Sequence, residues 1–211
     1  MDNRIGIRDQ TYLSIDLDYW FRHHISQDEF RFMYDLLDFV KTIPNRIIVQ
    51  EHHNILSHID SIDPSHILHV DFHQDIAFPI DKPITLFCGN FFYFIKNRIE
   101  KTFKWFYPNE HHCIKREMGF CVDASVLQPL NEEHFIFKDQ QHKLGLPTAE
   151  ELSNVTAVGV ALSQDYCTIT YENRKELIKL LRILYDLFGR GNVKPLLQMD
   201  NIGIDYISGI Y

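Results

Sequence analysis

Residues 67–75 read ILHVDFHQD, an apolar run that ends in two aspartates and a histidine. Residues 12–18 read YLSIDLD, a second apolar run, which ends on Asp16 and Asp18. Side chains two residues apart on a strand point to the same side, so each run presents its polar groups together. Carboxylates crowded with an imidazole at two strand ends would repel one another and lose contact with water, which is unfavourable unless a cation is bound between them. The pattern predicts a metal site for two ions.

Strand-like and helix-like segments alternate along the chain. Strands are predicted at 12–17, 46–49, 67–70, 102–107 and 155–162, and helices at about 26–43, 55–59, 89–101 and 172–188. The uninterrupted apolar run 155–162 is typical of a parallel strand that is covered on both faces. This alternation predicts an α/β fold, a three-layer sandwich around a mainly parallel sheet.

Two segments depart from the alternation. Residues 108–150 are irregular and are predicted to be an excursion that folds over the site, and residues 191–211 form a mixed C-terminal tail. No linker or internal repeat separates these segments from the rest. We therefore predict a single domain over residues 1–211, long enough to bury a sizeable core.

Charge and composition exclude several classes of protein. The net charge is −8, which argues against binding to a nucleic-acid backbone. The longest apolar stretch, 86–95, is too short to span a bilayer, and residues 1–4 lack the pattern of a secretory signal. The four cysteines are scattered without a C-x-x-C pair, which favours a reducing cytoplasm. We expect no nucleic-acid or membrane partner, and the oligomeric state stays open.

A third strand end adds donors to the predicted metal site. Residues 51–53 read EHH directly after the strand 46–49, and ligands gather beyond the carboxyl ends of strands in open α/β sheets. Imidazoles and carboxylates without a thiolate suit Mn²⁺ or a similar ion better than structural zinc. Two ions roughly 3.5–4 Å apart can share a water and lower its pKa.

Simpler interpretations exist for each motif alone. A lone D-x-D can be a solvated turn, and solvated loops also produce D-x-H-x-D. The other histidines are expected at the surface or at the edge of the core rather than as ligands: His23, His24, His58, His66, His69, His134 and His142.

The three strand-end motifs resemble those of the arginase/deacetylase (ureohydrolase) superfamily. Residues 51–53, 71–75 and 14–18 are similar to its G-G-[DE]-H-S, D-A-H-x-D and S-F-D-x-D segments. The resemblance is closer to the peptide arginases, which convert arginine side chains in ribosomal peptides into ornithine. The recurring sequence motifs of the peptide arginases correspond here to VQEH at 49–52, HVDFHQD at 69–75 and SIDLDYW at 14–20. The similarity covers about the first half of the chain and residues 161–166.

The order of the motifs differs from that of the family. The S-F-D-x-D segment comes last in arginases, whereas residues 14–18 come first here. We interpret this as a circular permutation of the same sheet, which is possible because domain termini often lie close together.

The resemblance implies a ligand set for two Mn²⁺ ions per chain. Asp16 and Asp71 would bridge both ions. His52 and Asp75 would complete one ion, and His73 and Asp18 the other. His52 is preferred to His53 because it follows the acidic residue, as in the family motif. Asp75 would also pass a proton to the leaving amine.

The resemblance also suggests substrate contacts. Asn90, in the segment CGNF at 88–91, is similar to the substrate-holding asparagine of an S-G-N-L segment, although it can equally cap the following helix. Asp165, beyond the strand 155–162, is the candidate that grips the guanidinium, with a helix cap as the alternative. The family's proton-shuttle histidine has no counterpart, and His111 or His112 could replace it.

These features predict a Mn²⁺-dependent peptide arginase acting on an arginine-containing peptide, most simply a precursor peptide. Two alternatives stay open. One is an amide deacetylase that uses a single Zn²⁺ on the same scaffold. The other is a metal-stabilised peptide-binding module without catalytic activity, which the missing proton shuttle favours.

Overall fold

Six strands form one sheet in the computed structural model, which describes residues 10–21, 27–76, 86, 88–107, 137–164 and 173–197. The strands are β1 (Thr11–Asp16), β2 (Asn45–Val49), β3 (His66–Val70), β4 (Thr102–Tyr107), β5 (Asp139–Leu144) and β6 (Val155–Ala161). Their order is β2-β6-β1-β3-β4-β5, and every neighbouring pair is parallel.

Helices lie between the strands in sequence. They are α1 (Gln27–Thr42), α2 (Leu56–Ile62), α3 (Ala149–Leu152), α4 (Arg174–Phe188) and α5 (Arg190–Val193). Short 3-10 helices span Leu17–Trp20, His52–Ile55, Cys88–Phe94, Arg98–Glu100 and Lys194–Leu196. None of the helices in the described part of the chain combines the length and apolar character that a bilayer-crossing helix needs.

Helices cover the sheet on both faces. On one face, Leu13 and Ile15 of β1 belong to a core cluster with the apolar stripes of α1 and α4. On the other face, Tyr12 of β1 packs with residues of α2 and of the 3-10 helix Cys88–Phe94. The alternation of β1 thus divides its side chains between two apolar layers. The predicted α/β class and parallel sheet are confirmed, and the helices on both faces are consistent with three layers.

The order in which successive strands are added to the sheet reverses in its middle. From the central strand β1 it crosses to the edge strand β2, and from β3 it continues outward to β4 and β5. The carboxyl ends of β1 and β3 therefore flank the point where the strand order reverses. Such a point leaves a crevice in which α/β proteins bind their ligands.

Two local predictions need correction. The helix expected at 89–101 is instead two 3-10 helices, separated near Asn97, whose φ of 52° interrupts a right-handed helix. Part of the excursion predicted at 108–150 is regular, because residues 139–144 form the edge strand β5 and α3 begins at Ala149. Residues 108–136, 165–172 and 198–211 lie outside the described residues.

Candidate metal centre

The register of β1 and β3 brings the two acidic motifs together. Ile15 of β1 pairs with Val70 of β3, so the next residues, Asp16 and Asp71, come side by side at the carboxyl edge of the sheet. Asp16 is 4% exposed and Asp71 is fully buried. These carboxylates are therefore not the solvated turn residues of the simpler interpretation.

The D-x-D motif is held by a tight turn. Oδ1 of Asp16 accepts the backbone N–H of Asp18 at 3.1 Å, which caps the 3-10 helix Leu17–Trp20. The other oxygen, Oδ2, accepts a hydrogen bond from the hydroxyl of Ser163 at 2.6 Å. Ser163 follows β6, the neighbour of β1 in the sheet, with a φ of 42°, a left-handed conformation that is uncommon for serine. Asp16 thus has one oxygen fixed by its own turn and one by the neighbouring strand end.

The segment after β3 folds back over its own end. Oδ1 of Asp71 accepts the backbone N–H of His73 at 2.7 Å, and the indole Nε1 of Trp105 donates to the Asp71 carbonyl at 2.9 Å. Asp75 adopts a φ of 55°, which aspartate tolerates better than most residues. This fold returns Asp75 to the buried cluster, where it is 6% exposed.

Three carboxylates converge on one nitrogen of His52. Nδ1 of this fully buried imidazole lies 3.1 Å from Oδ2 of Asp16, 2.9 Å from Oδ2 of Asp71 and 3.0 Å from Oδ2 of Asp75. One ring nitrogen carries at most one proton, so an N–H can satisfy only one of the three oxygens. A cation at the centre of these four atoms would interact favourably with all of them.

A second donor group shares Asp71 with the first. Nδ1 of His73 lies 3.5 Å from Oδ2 of Asp18 and 3.8 Å from Oδ1 of Asp71. The His73 side chain is 45% exposed, whereas those of Asp18 and Asp71 are buried. The site therefore opens to solvent beside His73.

The electrostatics of the cluster are unfavourable without a cation. Burial raises the pKa of the Asp71 carboxyl well above its usual range, and the charges of Asp75, Asp18 and Asp16 raise it further. Burial and the charge of Asp18 likewise raise the pKa of Asp16. Burial alone would lower the pKa of His52, but the charge of Asp16 and hydrogen bonds to the carboxylates raise it well above its usual value. Excess negative charge is thus concentrated at this point.

The donor atoms fit divalent metal ions. One group comprises His52, His69, Asp71 and Asp75 and the other Asp18, Asp71 and His73, with the ligand atoms of each group within 4.8 Å of one another. Adjacent ligands of an octahedral ion with bonds of about 2.1 Å lie about 3.0 Å apart, which is the spacing around Nδ1 of His52. Oxygen and imidazole donors without a thiolate suit Mn²⁺ and related ions.

The structure brings six of the predicted site residues to this one place: Asp16, Asp18, His52, Asp71, His73 and Asp75. Within the described residues, His53 belongs to neither donor group. Asn90 is fully buried on the 3-10 helix Cys88–Phe94. Asp165 lies outside the described residues, as do His111 and His112, so their predicted roles stay predictions.

Three polar residues around the carboxylates were not predicted as site residues. His69, expected at the surface or core edge, is fully buried, with Nε2 3.4 Å from Oδ2 of Asp71. Its position just before the D-x-H-x-D motif, two residues from Asp71, was the available signal. Ser14 and Ser163 are also fully buried and bond to His52 and Asp16. Ser14 belongs to the motif at 14–18, of which only the two aspartates were predicted as ligands.

Comparisons with protein-family models, with characterised proteins and with solved structures gave no significant match for this chain.

Proposed function

We propose that this chain is a Mn²⁺-dependent peptide arginase, which hydrolyses arginine side chains in a peptide to ornithine and urea. The main support is that two donor groups share Asp71 at the carboxyl edge of the parallel sheet. A shared carboxylate between two such groups is typical of binuclear hydrolases. The motif resemblance provides the reaction and the substrate, and it also suggests a permuted arginase/deacetylase (ureohydrolase) fold.

The donor groups agree with the ligand assignment that the resemblance implies. His52 and Asp75 belong to one group, Asp18 and His73 to the other, and Asp71 to both. Asp16 lies between them, with Oδ2 3.1 Å from Nδ1 of His52 and Oδ1 bonded to the backbone of Asp18. A single-ion deacetylase would have no use for the second group, so this arrangement favours the binuclear reaction.

Two divalent ions held by these residues would supply a hydroxide equivalent at neutral pH, because they would lower the pKa of a bound water. In the proposed reaction the oxygen of a water molecule would add to the guanidinium carbon, and the bond from that carbon to the side-chain Nε would break. Asp75 accepts one proton of that water on its carboxylate and delivers it to Nε, and the second water proton passes to the released amine as the urea carbonyl forms. The products are the protonated ornithine amine and urea, so atoms and charge balance.

The exposed side chain of His73 marks the approach for the substrate. The carboxylates of the cluster are buried, and a long, flexible arginine side chain can reach a recessed site while its backbone stays outside. Asp165 would accept the paired N–H donors of the guanidinium.

The test is mass spectrometry of arginine-containing peptides, with free arginine alongside, after incubation with Mn²⁺-loaded protein. We expect the mass loss of arginine-to-ornithine conversion in peptides and none with Asp71→Asn, while metal analysis finds two Mn²⁺ per chain. One Zn²⁺ per chain with deacetylation of acylated peptides would support the deacetylase instead. Peptide binding without any mass change would support the non-catalytic module.

A further inference from the structure

A chain of hydrogen bonds lies behind His52, on the side of the ring away from the carboxylates. Nε2 of His52 lies 2.7 Å from Oγ of Ser14, and the same oxygen lies 3.4 Å from Nδ1 of His69. Nε2 of His69 lies 3.0 Å from the backbone carbonyl oxygen of His73. The three side chains are fully buried, so their hydrogen bonds are made within the protein.

The carbonyl oxygen of His73 determines the direction of these bonds. A carbonyl oxygen only accepts, so Nε2 of His69 carries the ring proton. Oδ2 of Asp71, 3.4 Å from the same nitrogen, favours the same tautomer. Nδ1 of a neutral His69 then accepts the hydroxyl proton of Ser14. The Ser14 oxygen is left to accept from the Nε2–H of His52.

We propose that Ser14 and His69 are positioning residues that fix His52 with a proton on Nε2 and a lone pair on Nδ1. When a metal ion is bound among the carboxylates, this lone pair would be the donor that His52 offers to it. A second hydrogen bond of this kind orients most metal-binding histidines and strengthens the ligand. The inference rests on the metal centre of the proposed function. It also makes His69 a support of the centre rather than a ligand, because its Nε2 is protonated.

With a metal ion among the carboxylates, the opposite direction of these hydrogen bonds satisfies fewer groups and keeps Nδ1 of His52 from binding the ion. A Ser14 hydroxyl that donated to His52 would place a proton on Nδ1 among three carboxylate oxygens, of which one N–H can satisfy only one. It would also leave the lone pairs of Ser14 and His69 facing each other. The observed contacts therefore favour the direction that begins at the His73 carbonyl.

The sheet and its apolar layer hold the hydrogen-bonded side chains of Ser14 and His69 in place. Ser14 and His69 are register partners on the adjacent strands β1 and β3. The ring of His69 packs against Phe92 and Phe103, with ring centroids 4.7 and 5.6 Å apart. These contacts limit rotation of the imidazole, so the tautomer of His69 is set by its hydrogen bonds.

The first experiment measures the histidine tautomers directly. Long-range ¹H–¹⁵N correlation spectra of ¹⁵N-histidine-labelled protein distinguish Nδ1–H from Nε2–H, in the metal-free protein and after addition of Zn²⁺ as a diamagnetic probe. We expect the Nε2–H tautomer for His69 in both states, and a Zn²⁺-dependent shift at Nδ1 of His52. A proton on Nδ1 of His69, or Zn²⁺ bound to its Nε2, would overturn the inference.

The second experiment measures Mn²⁺ affinity by calorimetry. Ser14→Ala is expected to weaken binding by about 10–100-fold, and Ser14→Thr, which keeps the hydroxyl, to restore much of the loss. The matched control is Tyr12→Phe, which removes another hydroxyl–imidazole bond from β1, that of Tyr12 to His58 at 2.9 Å. The control should bind Mn²⁺ like the wild type.

Variants of His69 distinguish a residue that positions His52 from a residue that binds the metal ion itself. His69→Asn keeps an acceptor near the position of Nδ1, whereas His69→Phe keeps only the ring shape. We expect the Phe variant to lose affinity by about tenfold or more, the Asn variant to lose less, and both to keep two ions. Loss of one ion in both variants would show that His69 is a ligand and overturn the inference.

The outcomes distinguish this inference from the proposed function. Wild-type protein that binds Mn²⁺ with an affinity unchanged by Ser14→Ala overturns the positioning role alone. Tight binding that depends on Ser14, without arginine hydrolysis in any peptide, overturns the proposed reaction and supports the positioning role. Wild-type protein that binds no divalent ion overturns both.

Discussion

Oδ2 of Asp71 lies 2.9 Å from Nδ1 of His52, while Oδ1 of the same carboxyl accepts the backbone N–H of His73 at 2.7 Å. One carboxyl group therefore contacts a residue of each donor group. Its backbone is held as well, because Trp105 on β4 donates to the Asp71 carbonyl. Asp71 is thus the point at which the strand, the turn after it and both halves of the cluster meet.

Asp71→Asn should separate metal binding from folding. The amide keeps the shape and one acceptor oxygen but removes a buried negative charge, so we expect loss of both metal ions. In EDTA the variant should be more stable than the wild type by about 1 kcal/mol or more, because like-charge repulsion is relieved. In excess Mn²⁺ the wild type should become the more stable, since ligand at 100 times its dissociation constant adds about 2.7 kcal/mol.

Urea unfolding in EDTA and in excess Mn²⁺ measures which of the two proteins is the more stable in each buffer, and metal analysis after dialysis counts the bound ions. Asp35→Asn on α1 is a suitable control, because it removes the same charge from a side chain outside both donor groups. An Asp71→Asn protein that keeps two ions would contradict the shared role of this carboxylate.

Asp75→Ala and Asp18→Ala should each remove one ion. Asp75 belongs to the group around His52, and Asp18 to the group around His73, so each variant leaves the other group complete. We expect two ions per chain in the wild type, one in each single variant and none in the double variant. Metal analysis by inductively coupled plasma mass spectrometry gives these counts, and loss of both ions in either single variant would refute the division.

The motifs were predictable because their geometry is local. Asp16 and Asp18 lie two residues apart, as do Asp71 and His73, and the tight turn that follows each strand keeps the members of each pair close together. The parallel sheet was predictable for a related reason, since the apolar run 155–162 is typical of a strand buried on both faces.

What escaped prediction depends on contacts between distant parts of the chain. His69 has apolar neighbours in sequence, and only the register of β1 and β3 puts it beside Ser14. Strand β5, with the sequence DQQHKL, has no apolar alternation because it is an edge strand with one neighbour. The interrupted helix near Asn97 reflects a left-handed residue that the local pattern does not reveal.

Gly159→Ala should destabilise the sheet beneath the site. A methyl group at Gly159, on β6, would meet the hydroxyl of Tyr12 and Cγ2 of Ile55, the latter at 3.0 Å. Overpacking of this kind costs about 1–3 kcal/mol. Because Tyr12→Phe removes the closest atom, Gly159→Ala should cost less when it is combined with Tyr12→Phe. Urea unfolding of the four proteins of this cycle measures the coupling, and strict additivity would contradict the contact.

Glu151 at the start of α3 joins this helix to two strands, β4 and β5. Its carboxylate accepts the Thr148 backbone N–H at 2.7 Å, Nζ of Lys104 at 3.0 Å and Nζ of Lys143 at 3.1 Å. Burial acts to raise the pKa of Glu151, but these donors outweigh it and lower the pKa from 4.5 to about 2. The folded state therefore favours the charged form, so the stabilisation is present above pH 4.5 and is lost as the pH falls toward 2.

Glu151→Gln should lower the free energy of unfolding by about 1 kcal/mol at pH 7, since the amide keeps the cap but not the charge. The difference between the two proteins should shrink steadily between pH 5 and about pH 2 as the wild-type carboxylate is protonated. Urea unfolding of both proteins across this range measures it, and taking the difference cancels the titration of groups that they share. A difference that stayed constant down to pH 3 would mean that the two lysines do not stabilise the charged carboxylate in solution.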